Sequence, residues 1–281
     1  MTQDASTQVF VNVGQARSMV VREHARVVDA RTDRAFEAGH LPGAANWAAR
    51  DLNPTVAGVR RLVPSDRLAE AMRARRLEGR PLVIYGARGG ADAAHLWWTL
   101  YAHGHPAAYL LNGGIEAWQR AGLPLESETP PPDAEAEAPQ EVFTPRLDAS
   151  SLAELEELRE RLEDPALLLL DTRDLSEYTG AVAAAARGGH APGARHLDWR
   201  ALLGEDGLLK PEAALRKLLA PALEAPEVVT YCQSGVRAAH SHAVLTKLGH
   251  PNARLYLASW GEWGNRQDTP VRTHDPVEVQ P

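Results

Sequence analysis

The single cysteine of this 281-residue chain stands in the stretch VVTYCQSGVRAAH, residues 228–240. Apolar residues lead into Cys232 and a helix-like segment follows Arg237, so the cysteine is expected to open a strand-to-helix loop. Inward-facing backbone N–H groups and a helix N-terminus both stabilise a thiolate. Gly235 would let the backbone turn inward, and Arg237 would add a cation or hold an anionic substrate. We interpret Cys232 as a nucleophile; the alternative for a lone cysteine is a buried, inert side chain.

The elements around this loop occur twice in the chain. Residues 26–47, RVVDARTDRAFEAGHLPGAANW, parallel residues 167–199, and residues 81–118 parallel residues 227–263. The same order of parts on both sides indicates an internal duplication rather than a short-period repeat.

Short apolar runs such as PLVIY and EVVTY alternate with helical segments in each copy. Such runs are typical of strands buried on both faces of a parallel sheet, and the alternation favours an α/β fold. A proline- and acid-rich stretch without apolar period separates the copies and is predicted to be an extended linker. We therefore predict an N-terminal domain at 1–126, a linker at 127–145 and a C-terminal domain at 146–281.

Composition excludes several classes of protein. No run of about 18 apolar residues occurs, so no membrane span is predicted. The net charge of −7 disfavours a nucleic-acid or anionic-membrane partner. The N-terminus has no basic and apolar signal regions, and one cysteine cannot form an internal disulfide, so we expect a cytoplasmic protein.

CQSGVR, residues 232–237, resembles the six-residue active-site loop of the rhodaneses, the thiosulfate sulfurtransferases. The resemblance extends to an aspartate ending the first strand, a GHxPG turn in each copy, an LGHP turn and the tail SWGEWGN…DTPV. It is strongest to bacterial two-domain enzymes in which only the C-terminal domain is catalytic. The fold that it implies is two tandem rhodanese-like domains, each a parallel sheet flanked by helices.

The N-terminal copy lacks the thiol and the guanidinium of this loop. Aligning YGARGGAD on YCQSGVRA sets Gly86 opposite Cys232 and Ala91 opposite Arg237, while Gly89 matches Gly235. The N-terminal copy is therefore predicted to cover the other domain and to carry no persulfide chemistry.

The resemblance implies a double displacement in which Cys232 takes the outer sulfur of thiosulfate as a persulfide and passes it to cyanide or a thiol. Backbone amides of the loop would hold the negative persulfide. It implies no metal, no organic cofactor and a monomer. The substrate-binding residues that we predict are Gln233, Ser234, Gly235, Val236 and Arg237, together with Trp199 as a wall of the cleft.

Other polar residues are interpreted as structural. Asp171 and Arg173 have twins in Asp29 and Arg31, and His40 and His190 belong to the two GHxPG turns. Glu177 stands where the vertebrate thiosulfate enzymes place a substrate-binding arginine, which leaves Arg237 as the expected anion contact. The histidines of two pairs spaced two residues apart are expected to be solvated or capping, since on a helix they would diverge; they are His103, His105, His240 and His242.

Three alternatives to a thiosulfate enzyme are compatible with a cysteine in such a loop. Phosphatases of a related fold have an arginine six residues after the cysteine, whereas Ala238 stands there. The 3-mercaptopyruvate sulfurtransferases usually carry Cys-Gly-Ser-Gly-Val-Thr, from which Gln233 and Arg237 depart, so thiosulfate is favoured. A persulfide carrier or regulatory module is compatible with the cysteine, and turnover with free small molecules would separate it from an enzyme.

Overall fold

The computed structural model describes residues 8–49, 52–127 and 143–273. Most of the predicted linker, residues 128–142, lies outside the described residues. None of the helices within the described ranges has the length and apolarity needed to cross a membrane.

The first half of the chain is built around a five-stranded parallel sheet. The strands of this half are β1 (Phe10–Val11), β2 (Arg26–Asp29), β3 (Ala45–Asn46), β4 (Thr55–Val56), β5 (Val59–Arg60), β6 (Leu82–Tyr85) and β7 (Ala108–Leu111). Its helices are α1 (Val13–Arg22), α2 (Asp33–Glu37), α3 (Ser65–Ala74), α4 (Ala91–Ala102) and α5 (Gly114–Arg120). The strand order is β1-β7-β6-β2-β3, and β4 and β5 form a separate antiparallel hairpin. All four residues of the central strand β6 are buried, as expected for a strand covered on both faces.

The second half repeats this arrangement. Its strands are β8 (Leu167–Asp171), β9 (Arg195–His196), β10 (Glu227–Tyr231) and β11 (Ala253–Leu255). Its helices are α6 (Leu155–Glu160), α7 (Leu175–Thr179), α8 (Glu212–Leu218), α9 (Ala220–Glu224), α10 (Val236–Lys247) and α11 (Ser259–Trp263), with 3-10 turns at Ala149–Ser151 and Trp199–Leu202. The sheet is parallel with the order β11-β10-β8-β9, and a single parallel bridge between Leu152 and Leu255 takes the place of β1. Two parallel sheets flanked by helices confirm the predicted α/β class.

A buried aspartate–arginine pair closes the first strand of each copy. Arg31 forms a bidentate ion pair with Asp29 and donates from Nη2 to the carbonyl of Gly39 at 2.7 Å. Arg173 pairs with Asp171 and donates to the carbonyl of residue 189 in the same way, also at 2.7 Å. Because both copies build the same bond to the GHxPG turn, these residues hold that turn, as predicted.

The histidines of the two turns are also structural. The Nδ1 atom of His40 lies 3.0 Å from the carbonyl oxygen of Phe36, and Nδ1 of His190 lies 2.8 Å from that of Tyr178. The imidazole of His40 stacks on the ring of Phe36 and that of His190 on the ring of Tyr178, with centroids 3.8 and 3.7 Å apart. The prediction of turn histidines bonded to the backbone is confirmed.

The two halves meet along the helices that follow the two central strands, α4 and α10. The bulky Trp97 and Trp98 of α4 pack in one apolar cluster with the small Ala239 and Ala243 of α10. Large side chains thus fill the space that small ones leave across the interface.

The paired histidines are not solvated, whereas the expected alternative of a capping residue is met by His103, the C-cap of α4. His103, His105, His240 and His242 are at most 9% exposed. Two positions apart on a helix do diverge, but α10 is covered on one side by α4 and on the other by its own sheet. His242 packs against aromatic side chains of α4, and His240 packs against Phe10 and Trp199.

Candidate active site

Cys232 opens the loop between β10 and α10 and is 1% exposed. Its backbone N–H donates to Oγ of Ser259 at 3.1 Å, and its carbonyl accepts from the N–H of Trp260 at 3.0 Å. The N–H of Gly261 donates to the carbonyl of Gln233 at 2.8 Å. The start of α11 therefore fixes the backbone that carries the thiol.

The following amides are free to receive a negative charge. Within the part of the chain that the structure describes, the N–H groups of residues 233–237 donate to no acceptor. Gly235 has φ +82°, and a Cβ there would lie 2.9 Å from the carbonyl oxygen of Leu257. Only glycine fits this turn, after which α10 begins with its partial positive N-terminus beside the loop. The geometry is that of a small anion cradle next to Cys232.

Arg237 does not stand free beside this cradle. Its Nη1 and Nη2 atoms donate to the two carboxylate oxygens of Glu177 at 2.5 and 3.0 Å, and Nη1 lies 3.4 Å from Asp174. Burial alone would raise the pKa of Glu177, but the bonds and charge of Arg237 bring it below its usual value. Burial likewise opposes the charge of Arg237, yet the bond to Glu177 raises its pKa above the ordinary range. The expected anion contact is already half of an ion pair.

Known proteins share this architecture. A family model described as Rhodanese-like domain matches residues 12–121 and again residues 154–266, which together make up most of the chain. The chain belongs to the rhodanese family.

Relatives within this family carry two different substrate names. A thiosulfate sulfurtransferase of Corynebacterium glutamicum is 34% identical over 88% of this chain and 85% of its own. A probable 3-mercaptopyruvate sulfurtransferase of Pseudomonas aeruginosa is 35% identical over 86% of this chain and 87% of its own. Both are sulfurtransferases, so sulfur transfer is the reaction class that the similarity supports.

A solved structure shares the fold of both halves. The 3-mercaptopyruvate sulfurtransferase SseA of Escherichia coli superposes with a TM-score of 0.77 at 24% identity, covering 90% of this chain and 99% of its own. At that identity the likeness shows the fold alone. It agrees with the two parallel sheets described above.

Gln233 connects the rhodanese loop to a segment that the first half lacks. Its Nε2 donates to the carbonyl of Ala184 at 2.9 Å, while its Oε1 is buried without a partner among the described residues. Arg187 holds the same segment by donating to the carbonyls of Trp263 and Thr269 at 3.0 and 2.8 Å. Residues 181–188 therefore lie along one side of the loop. Of the other predicted loop residues, Ser234 and Val236 are partly exposed.

Trp199 lies at the interface between the halves. Its ring packs edge-on against His240, with centroids 5.2 Å apart. A Cβ on Gly89 would come within 3.0 Å of Cη2 of Trp199, so the ring covers the loop of the N-terminal copy. Contact between Trp199 and a substrate stays a prediction.

Ser259 is a residue that the sequence analysis missed. It has φ +54°, which is unfavourable for a side chain other than glycine. Its Oγ donates to the carbonyl of Tyr256 at 2.8 Å and accepts from Cys232. The available signal was its twin: the equivalent position in the first copy is Gly114, with φ +60°.

Proposed function

We propose that this chain is a thiosulfate sulfurtransferase that works through a persulfide on Cys232. The thiolate attacks the outer sulfur of thiosulfate, a new S–S bond forms, and the S–S bond of thiosulfate breaks to release sulfite. Cyanide or a thiolate then attacks the terminal sulfur of the persulfide, which restores the Cys232 thiolate and releases thiocyanate or a new persulfide.

The observation that carries this proposal is the position of Cys232 beside the unpaired amides of residues 233–237. The outer sulfur of a persulfide bears the negative charge, and N–H donors aimed at such a charge stabilise it as an oxyanion hole does. We assign substrate contact to Gln233, Ser234, Gly235, Val236 and Arg237, and a wall of the cleft to Trp199. The similarity to the Corynebacterium enzyme supports thiosulfate as the donor.

A 3-mercaptopyruvate sulfurtransferase is the second candidate. The name of the Pseudomonas relative, which is equally similar, supports it. Gln233 and Arg237 depart from the loop usual in such enzymes, and for this reason we rank it second.

The proposal is tested by intact mass and turnover of the wild type and Cys232→Ser. With thiosulfate alone, the wild type should gain one sulfur, about 32 Da, and the variant should gain nothing. Thiocyanate production from thiosulfate and cyanide should be lost in the variant. A sulfur gain only from 3-mercaptopyruvate would favour the second candidate, and a gain without multiple turnover would favour a persulfide carrier. No gain with either donor would contradict sulfur transfer by Cys232.

The proposal also covers the setting of the reaction. The double displacement needs neither metal nor organic cofactor, so a chelator-treated sample should keep its turnover. We further propose a cytoplasmic monomer with domains at 1–126 and 146–281 joined by the linker 127–145. Sedimentation at equilibrium tests the monomer, and a dimer mass would contradict it. Limited proteolysis tests the domain and linker boundaries.

A further inference from the structure

Glu177 occupies the edge of the Arg237 guanidinium that carries both terminal nitrogens. The carboxylate is bound by both terminal nitrogens of the guanidinium, a two-point contact that matches the geometry of bidentate anion recognition. The side chain of Glu177 is 10% exposed, whereas that of Arg237 is 21% exposed. The carboxylate is therefore fixed at the inner side of the pair and cannot easily swing away into water.

The surroundings of this pair add further negative charge. Asp174, which lies 3.4 Å from Arg237, is also bonded by Arg200. Arg200 in turn pairs with Asp198 at 2.5 Å. Three carboxylates thus face two guanidinium groups, and the charge of Arg173, which also acts on Glu177, is balanced by Asp171, so one excess negative charge remains.

We propose that Glu177 is a specificity-determining residue that weakens the binding of dianionic sulfur donors. With the charge of Arg237 neutralised, a dianion such as thiosulfate gains less from the cradle than it would beside a free arginine. A donor with a single negative charge loses less, so the carboxylate narrows the preference for thiosulfate over such donors. This inference rests on the proposed function, since it concerns the donor of the same Cys232.

Binding without chemistry gives the first test. Thiosulfate is titrated calorimetrically into Cys232→Ser and into Cys232→Ser combined with Glu177→Gln. Glutamine keeps the shape and one acceptor while it removes the charge, so the dissociation constant of thiosulfate should fall by at least about fivefold. An unchanged dissociation constant would overturn the inference even if the wild type forms a persulfide.

Steady-state kinetics give the second test in Glu177→Gln with an intact Cys232. We expect the KM for thiosulfate to fall at least about fivefold and the KM for 3-mercaptopyruvate by about the square root of that factor, because its charge is half as large. Equal changes for both donors would mean a structural role and would overturn the inference. If the wild type gains no sulfur from either donor, the proposed function fails, whereas the binding test still reports on Glu177.

Two further variants control these experiments. Glu212→Gln also removes one negative charge, but Glu212 bonds Lys247 at the far end of α10, about 16 Å from the helix start, and should leave both KM values unchanged. Asp174→Asn should lower the thiosulfate KM about twofold, because its contact with Arg237 is longer and more exposed. If Glu177→Gln does not fold, an unchanged thiosulfate KM in Asp174→Asn contradicts the inference.

Discussion

The loop that follows β6 and the loop that follows β10 begin alike and end differently. Gly89 and its twin Gly235 have nearly identical φ values of +81° and +82°. In the first copy a second left-handed glycine, Gly90, follows, and its N–H donates to the carbonyl of Ala87 at 2.8 Å. In the second copy the twin of Gly90 is already helical. One loop is thus a turn bonded to itself, whereas the other leaves its amides unpaired.

The two loops also differ in what covers them. Leu203 lies so close to the first loop that a Cβ on Gly89 would be 2.8 Å from its Cδ1. Arg88 of the same loop bonds the carbonyl of Glu205, and Asn112 accepts from the N–H of Leu209 at 2.9 Å. The second half therefore fills the space above the first loop. A glycine-rich loop could in principle bind an anion, but these contacts leave no room for one.

The first half packs against the segment behind the second loop and leaves that loop accessible for a reaction. The β4–β5 hairpin of the first half packs on α11, and Arg61 pairs with Glu262 at 3.1 Å. Glu262 also accepts from the hydroxyl of Tyr256 at 2.8 Å. The first half thus supports the segment that holds Cys232. A duplicated loop can serve as an interface or as a reaction site, and the unpaired amides distinguish the two.

The buried histidines of the two halves should make the folded protein less stable in acid. Burial lowers the pKa of His95 to about 3 and the pKa values of His105, His240 and His242 to about 4. Unfolding restores values near 6.5, so below that pH the unfolded chain binds protons that the folded chain refuses. Between pH 6.5 and pH 5 each histidine should lower the free energy of unfolding by about 2 kcal/mol. Denaturant unfolding at a series of pH values measures the loss.

A matched variant assigns this loss to the interface. His240→Gln removes one of these four groups and should reduce the pH dependence by about a quarter, whatever its effect at pH 7. Carboxylates with lowered pKa values lose their contribution only at lower pH, below about 4.5. An unchanged slope in the variant, or separate unfolding of the two halves, would contradict a shared interface.

The twin glycines give the next largest effect. Gly235→Ala places a Cβ 2.9 Å from the backbone oxygen of Leu257 at a positive φ, so the loop must shift. We expect a loss of about 2–3 kcal/mol in stability and at least about a hundredfold loss of sulfur transfer. Unfolding curves and thiocyanate assays measure the two effects.

Gly89→Ala is the control for that experiment. Its φ is the same, but its Cβ would meet only side-chain atoms of Leu203 and Trp199. Stability should fall by about 1–2 kcal/mol, whereas turnover at temperatures where the variant is folded should stay within about twofold. Equal losses of turnover in the two variants would mean that the first loop takes part in the reaction.

The sequence was sufficient for the parts that local pattern governs. EVVTY, residues 227–231, is the strand β10. The helix-like segment that follows Arg237 is α10, which ends at Lys247, two residues before the left-handed Gly249. Apolar runs and glycine positions are local properties of the chain, so they could be predicted without knowledge of the tertiary structure.

Side-chain pairing could not be predicted in this way. Arg237 and Glu177 are 60 residues apart, and their contact depends on how α7 and α10 are placed by the sheet. The burial of His240 and His242 depends on the other half of the molecule, which a periodicity argument within one helix does not include. For the same reason Arg237 was expected to stand free.

The smallest expected effect comes from substitutions of Ser259, the residue that supports the Cys232 loop and that differs from its twin in the first copy. Ser259→Gly loses the acceptor for the Cys232 N–H but relieves the positive φ, so stability should change by less than about 1 kcal/mol. Ser259→Ala loses the same hydrogen bond and keeps the unfavourable backbone, so it should cost about 1–2 kcal/mol. Turnover should fall by a similar factor, about fivefold, in both variants, because both release the amide of Cys232.

The glycine variant reproduces the residue that the first copy has at this position, Gly114. There a Cβ would lie 2.4 Å from the carbonyl oxygen of Gly86, so the first copy has no room for a serine. In the second copy the Oγ atom of Ser259 bonds the Cys232 amide, and this hydrogen bond offsets the unfavourable positive φ of Ser259. Turnover in Ser259→Gly equal to that of the wild type would show that Cys232 needs no such support. The two loops would then differ in the thiol, the unpaired amides, the arginine that follows them and the residues that cover them.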